Sequence, residues 1–161
     1  MAENRNLMSL LNQQYLCESL TLKEIETLVD FTVFTTYRKG EVIADAGVIG
    51  DALYFVIKGE AGLFYDDKGH DIEVGRMKEG ELMGEMSFFD RKPRLLRMQA
   101  LQNETQVLKL TRPMYERLRV EYPYIAVNLL EHAIISLDHL VRRVSEEEVS
   151  LSRYIFGPGK R

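Results

Sequence analysis

The stretch Gly84-Glu85-Met86-Ser87-Phe88-Phe89-Asp90-Arg91-Lys92-Pro93-Arg94 is where side chains able to do chemistry stand closest together in this 161-residue chain. A glycine that opens a one-turn helix leaves backbone N–H groups without intrahelical partners, and those suit an anion. Arg94, returning to the same spot, supplies the bidentate cation that a phosphate prefers. Glu85 needs a reason to sit beside a phosphate site, because like charges repel. The economical one is that it accepts hydrogen bonds from sugar hydroxyls while Arg94 holds the phosphate. Its neighbours Leu82, Met83, Met86, Phe88 and Phe89 make a bare carboxylate costly there unless something pairs it. A small nucleotide pocket satisfies that need. So does the competing arrangement, an empty structural ion pair between Glu85 and Arg94.

Other chemistry finds little support. The chain has three histidines, His70, His132 and His139. His132 and His139 fall seven residues apart on one expected helix, about 10 Å by helical rise. Two ligands of one zinc each lie about 2 Å from the metal, so that pair cannot share it. No metal and no enzymatic role are expected. The single cysteine, Cys17, excludes an internal disulfide framework and reads as a small helical hydrophobe. A net charge of −4 argues against nucleic acid, which asks for a basic face. No signal-peptide core opens the chain, and no run of about eighteen apolar residues offers a membrane span. The expectation is a cytoplasmic protein with an ordinary apolar content of 45%, enough for a core in one domain, 1–161.

The elements that must position Glu85 and Arg94 follow from periodicity. Residues 6–16 and 21–30 repeat their leucines, Ile25 and Val29 at helical spacing, and Thr21 with Glu24 forms a capping box. At Val33-Phe34-Thr35-Thr36-Tyr37 the period changes to that of a strand. Leu53, Phe55 and Ile57 alternate with Tyr54 and Val56. Asp66-Asp67-Lys68-Gly69 has the chemistry of a hairpin turn. Leu96, Met98 and Ala100 alternate with Leu95, Arg97 and Gln99, and Thr105–Leu110 gives the last strand. Short strands with regular turns over 31–110 predict a mainly β fold, a sandwich or barrel, with flanking helices. Thr111 caps a hinge helix to Glu121, Pro123 breaks it, and a long helix runs from Tyr124 to about Val149 within 111–156.

That helix carries a seam. Leu130, Leu137, Val144 and Leu151 lie seven apart, with Ile134 and Val141 between them, the pattern of about three coiled-coil heptads. Leu130, Ile134, Leu137, Val141 and Val144 are therefore expected at a homodimer interface of parallel helices. The alternative is that this face packs on its own barrel. Glu146-Glu147-Glu148 interrupts the seam as a solvated face.

The order Gly-Glu-apolar-small-apolar-aromatic-x-x-x-Pro-Arg at 84–94 resembles the phosphate-binding cassette of the cyclic nucleotide-binding domain family, which includes catabolite activator proteins and protein kinase A regulatory subunits. The likeness extends to Lys39-Gly40-Glu41-Val42-Ile43, Gly47, Gly50-Asp51 and Leu53–Glu60, and it covers most of the chain. It implies a double-stranded β-helix (jelly roll) with N-terminal helices and a long C-terminal helix. It implies a ligand site of Gly84, Glu85, Met86, Ser87, Arg94, Leu95 and Leu96, with backbone N–H groups of Met86, Ser87 and Leu95 on the phosphate. The family follows its arginine with small residues, whereas Leu95, Leu96 and Arg97 stand here. The hydroxyl that favours guanine is absent, so cAMP is favoured over cGMP. Leu140 and Val141 are apolar where the activator protein gives adenine a hydroxyl. The resemblance thus implies a stand-alone sensor without a helix-turn-helix, binding cyclic nucleotide and signalling through its last helix to an unknown effector protein. The alternative is a structural module that kept the fold and lost the ligand.

Overall fold

Val33–Tyr37, the first β-branched and aromatic run, forms strand β1, and its partner is the last strand of the sheet region, β8 (Thr105–Thr111). Between them the computed structural model, which describes residues 2–12 and 17–157, places β2 (Val42–Ala44), β3 (Ala52–Lys58), β4 (Ala61–Asp67), β5 (His70–Met77), β6 (Leu82–Met83) and β7 (Arg97–Ala100). They make two four-stranded antiparallel sheets, in the orders β1-β8-β3-β6 and β2-β7-β4-β5. This is the jelly roll that the family resemblance implies, within the sandwich-or-barrel class that the spacing of turns predicts. The β4–β5 turn is the expected hairpin: Lys68 and Gly69 both take positive φ, and Asp66 accepts from the Gly69 N–H at 2.8 Å.

Helices flank the sheets: α1 (Ala2–Asn12), α2 (Leu22–Asp30), α3 (Glu85–Asp90), α4 (Arg112–Glu121) and α5 (Pro123–Phe156). α1 starts earlier than the leucine spacing suggests, and positions 13–16 of the expected helix lie outside the described residues. The capping box of α2 is present as read, with the Thr21 hydroxyl accepting from the Glu24 N–H and the Glu24 carboxylate accepting from the Thr21 N–H. Thr111 is the N-cap of α4, but its hydroxyl makes no capping bond. α5 runs seven residues beyond Val149 before Gly157 ends it.

Strand β3 explains how one short sequence serves two cores. Leu53, Phe55 and Ile57 face the helices and pack with Ile25, Leu28, Leu118, Ile125 and Leu129. Tyr54 and Val56 face the inside of the jelly roll and pack with Met83, Met98, Ala100 and Val107. Both faces of the strand are buried, so its apolar run is continuous where a half-exposed strand would alternate.

Candidate functional site

Gly84 ends β6 with φ 86°, a left-handed conformation that only glycine takes without strain. A Cβ there would also press on the Tyr54 ring at 3.1 Å. The chain turns directly into α3, and a second left-handed residue, Arg91, closes that helix after Asp90. The return run 92–95 is clamped to the loop before β3. Gly47 N–H donates to the Arg94 carbonyl at 2.8 Å, and Arg94 N–H donates to the Val48 carbonyl at 3.0 Å. Ile49 pairs with Pro93 in an isolated antiparallel bridge. Gly50 then passes so close to α3 that a Cβ would meet the Phe88 nitrogen at 2.8 Å.

Ser87 locks this arrangement from inside. Its hydroxyl accepts from the Gly50 N–H at 2.6 Å and donates to the Lys92 carbonyl at 2.5 Å. A small polar residue is therefore needed at 87 for the cassette's own geometry. The hydroxyl's one proton is thereby spent, so for an anion Ser87 could offer only its backbone N–H. Met86 is exposed next to it.

The cassette brings Glu85 and Arg94 into the interior, both more than nine-tenths buried. They do not neutralise each other: Arg94 makes no ion pair among the described residues, and its Nε and Nη2 are buried without any hydrogen-bond partner. Its guanidinium lies 5.7 Å from the centre of the Tyr54 ring, a cation–π contact that orients it and leaves Nε and Nη2 unsatisfied. Glu85 accepts one bond from outside the cassette, from the Ser136 hydroxyl of α5 at 3.3 Å. Burial pushes the Glu85 carboxyl up from its ordinary range, and its backbone hydrogen bond and Ser136 offset part of that rise. Among the described residues the cassette thus carries a buried guanidinium with two unmet nitrogens and, at its other end, a buried carboxyl held by Ser136. The empty salt bridge raised as an alternative is not the arrangement here.

The residues after Arg94 do not fill this space. Leu95 is 77% exposed, so its bulk stands in solvent. Leu96 is half-buried, and Arg97 turns outward to an ion pair with Asp71 at 2.5 Å, its guanidinium 5.6 Å from the Phe64 ring centre.

Along α5 the proposed seam divides. Leu130 leans on the chain's own helix-facing core, and Leu137 is half-buried. Ile134 and Val141 are 66% and 62% exposed. The Val144 side chain, like those of Leu140 and His139, lies outside the described ones.

Two residues at the site escape a reading of the cassette alone. Ser136 continues the buried α5 stripe of Leu129 and Ala133 at helical spacing, and that continuation is the signal that would have pointed to it. Arg112 donates from Nη2 to the carbonyls of Gly50 and Phe88, each at 2.7 Å, and tethers the start of α4 to the cassette. Among the described residues no three or more His, Cys, Asp or Glu gather closely enough to hold a metal ion. No helix there is long and apolar enough to cross a membrane.

Comparisons with known proteins place the chain's family and fold. The model of the cyclic nucleotide-binding domain family matches residues 34–122, more than half of the chain and all of the cassette. A cyclic AMP receptor protein from Thermus thermophilus is 29% identical over 156 residues, covering 89% of this chain and 72% of its own length. The type II regulatory subunit of a cAMP-dependent protein kinase from Drosophila melanogaster is 27% identical over 109 residues, 68% of this chain but only 29% of that longer protein. Among solved structures, a cyclic nucleotide-binding domain from Methylobacillus flagellatus shares the fold with a TM-score of 0.77 at 19% identity, covering 92% of this chain and 84% of the other.

Proposed function

The chain belongs to the cyclic nucleotide-binding domain family, and from that premise we propose that it is a regulatory sensor binding cAMP in preference to cGMP. The observation that carries this reading is the buried Arg94 guanidinium with unmet donors, in the same cassette as a buried Glu85 that does not pair with it. Among the described residues Arg94 has two buried nitrogens without partners, and Glu85 accepts only from Ser136 outside its own helix. A ligand with an anionic phosphate on one side and a free ribose hydroxyl on the other meets both needs at once. Arg94 takes the phosphate and Glu85 takes the hydroxyl. The open Leu95 position leaves the phosphate side uncrowded, and the backbone of Met86, Ser87 and Leu95 is near enough in sequence to join it. The relatives whose names include cAMP favour that nucleotide. The role is binding rather than catalysis.

Signalling would run through α5, the helix that touches Glu85 directly. Its exposed Ile134 and Val141, with Leu137, Leu130 and Val144, would pair two chains along parallel helices. An effector protein would then read the position of that pair.

Thermal unfolding with added nucleotide tests the pocket. Binding only the folded state adds about 2.7 kcal/mol at a hundredfold excess over Kd, which is a rise in Tm of about 5–10 °C for a chain of this size. The rise should be smaller with cGMP than with cAMP and absent in Arg94→Ala. No rise with millimolar cAMP or cGMP would overturn the sensor reading and leave a structural module. A larger rise with cGMP would overturn the nucleotide preference alone.

A further inference from the structure

A second recess lies on the far side of α3, against α4, and the nucleotide pocket does not use it. Its volume is about 190 Å³. Its floor is aromatic: Phe88, Phe89 and Tyr115 meet edge to face with ring centres 5.0 to 6.0 Å apart. Three arginines line it, Arg91, Arg112 and Arg119, against a single carboxylate, Glu116.

Arg112 gives the recess its character. Its two bonds to the Gly50 and Phe88 carbonyls and its stacking 4.3 Å over the Phe88 ring fix the guanidinium plane. None of the three arginines is ion-paired to a carboxylate among the described residues, whereas Arg76, Arg97, Arg117 and Arg142 are.

The size of the recess decides what it takes. Pockets for small ligands run to about 300–1,000 Å³, so this one is too small for a nucleotide and suits one or two side chains. Arginine and aromatic residues gathered in a pocket are the usual make-up of a protein-interface hot spot. The excess of positive charge selects a carboxylate, and half-exposed Phe89 at the rim offers an apolar contact beside it. We infer that the α3–α4 recess, built on Arg112 with Arg91 and Arg119, is a docking site for an acidic segment of a partner protein that carries an apolar residue next to its carboxylate. The inference does not require nucleotide in the other pocket.

The test is an NMR titration of the full chain, without nucleotide, with the peptide acetyl-Asp-Glu-Phe-Glu-Leu-amide and with its Asn/Gln counterpart. The acidic peptide should shift the amides of Phe89, Arg91, Tyr115 and Arg119. The amide-substituted peptide should bind at least about tenfold more weakly. Arg91→Glu combined with Arg119→Glu, both at exposed positions, should weaken the acidic peptide by a similar factor while the melting temperature and any cAMP-induced rise stay unchanged. Equal binding of the two peptides, shifts confined to other surfaces, no binding at millimolar peptide, or an unchanged Kd in the double variant would each overturn the inference. Loss of the cAMP response alone would count against the sensor reading and leave this one standing.

Discussion

Ser136, midway along α5, donates its hydroxyl to Glu85 Oε1 at 3.3 Å and lies 3.4 Å from the Leu82 carbonyl. One hydroxyl thus links the long helix to the carboxyl at the centre of the cassette.

That link has a pH signature. Burial raises the Glu85 carboxyl above an ordinary glutamate, and Ser136 opposes the rise. Between the ordinary and the raised value the folded chain holds a proton that the unfolded chain has released, so stability falls as pH climbs through that window. Glu85→Gln should remove this fall, and Ser136→Ala should move it to higher pH by deleting a stabilising donor. Melting temperatures of the three proteins from about pH 4 to 7 check both outcomes. A wild-type profile that coincides with Glu85→Gln would refute the assignment.

Arg94→Ala should not destabilise the nucleotide-free protein as loss of a buried ion pair does, which costs about 3–5 kcal/mol. Among the described residues Arg94 has no ion pair to lose, and its unmet donors are themselves a burden. Denaturant unfolding of the variant should give a midpoint near or above that of the wild type. A large drop would mean that Glu85 and Arg94 support each other after all.

Leu95→Ser should strengthen cAMP binding by restoring a hydroxyl beside the phosphate. Because Leu95 is largely exposed, the change should alter stability by no more than about 0.5 kcal/mol. Calorimetric titration therefore reads the gain in affinity directly, and equal or weaker binding would show that the hydroxyl does not reach the phosphate.

Leu137→Asp should convert a dimer into monomers, because it puts a charge between Ile134 and Val141 on the seam. Each leucine fully buried across such a seam contributes about 1.5–3 kcal/mol. Light scattering at micromolar concentration distinguishes the two states. A monomeric wild type would assign this face to the chain's own core, where Leu130 already leans.

Much of this was legible in the sequence because the signals were local. β1 begins and ends where its β-branched run does, and the Thr21–Glu24 box caps α2 as the spacing predicts. The 84–94 cassette likewise declared itself through its own residue types. Less legible were contacts between segments far apart in the chain. Ser136 meets Glu85 across fifty-one positions, and Arg112 meets Gly50 across sixty-two. Neither has a local pattern of its own. The outward direction of Leu95 also needed the structure, since bulk in a sequence does not say which way a side chain leaves the backbone. β6 was hidden for another reason: at two residues it is too short to show a period.

The length of α5 past Ser136 has a mechanical consequence. Twenty further residues extend the helix from the Glu85 contact to Phe156, a lever of about 30 Å at the usual rise. A tilt of about 10° pivoting at Ser136 would sweep its tip through about 5 Å, roughly one helical pitch. Displacements at the carboxyl too small to rearrange the jelly roll would arrive at the far end large enough for another protein to feel.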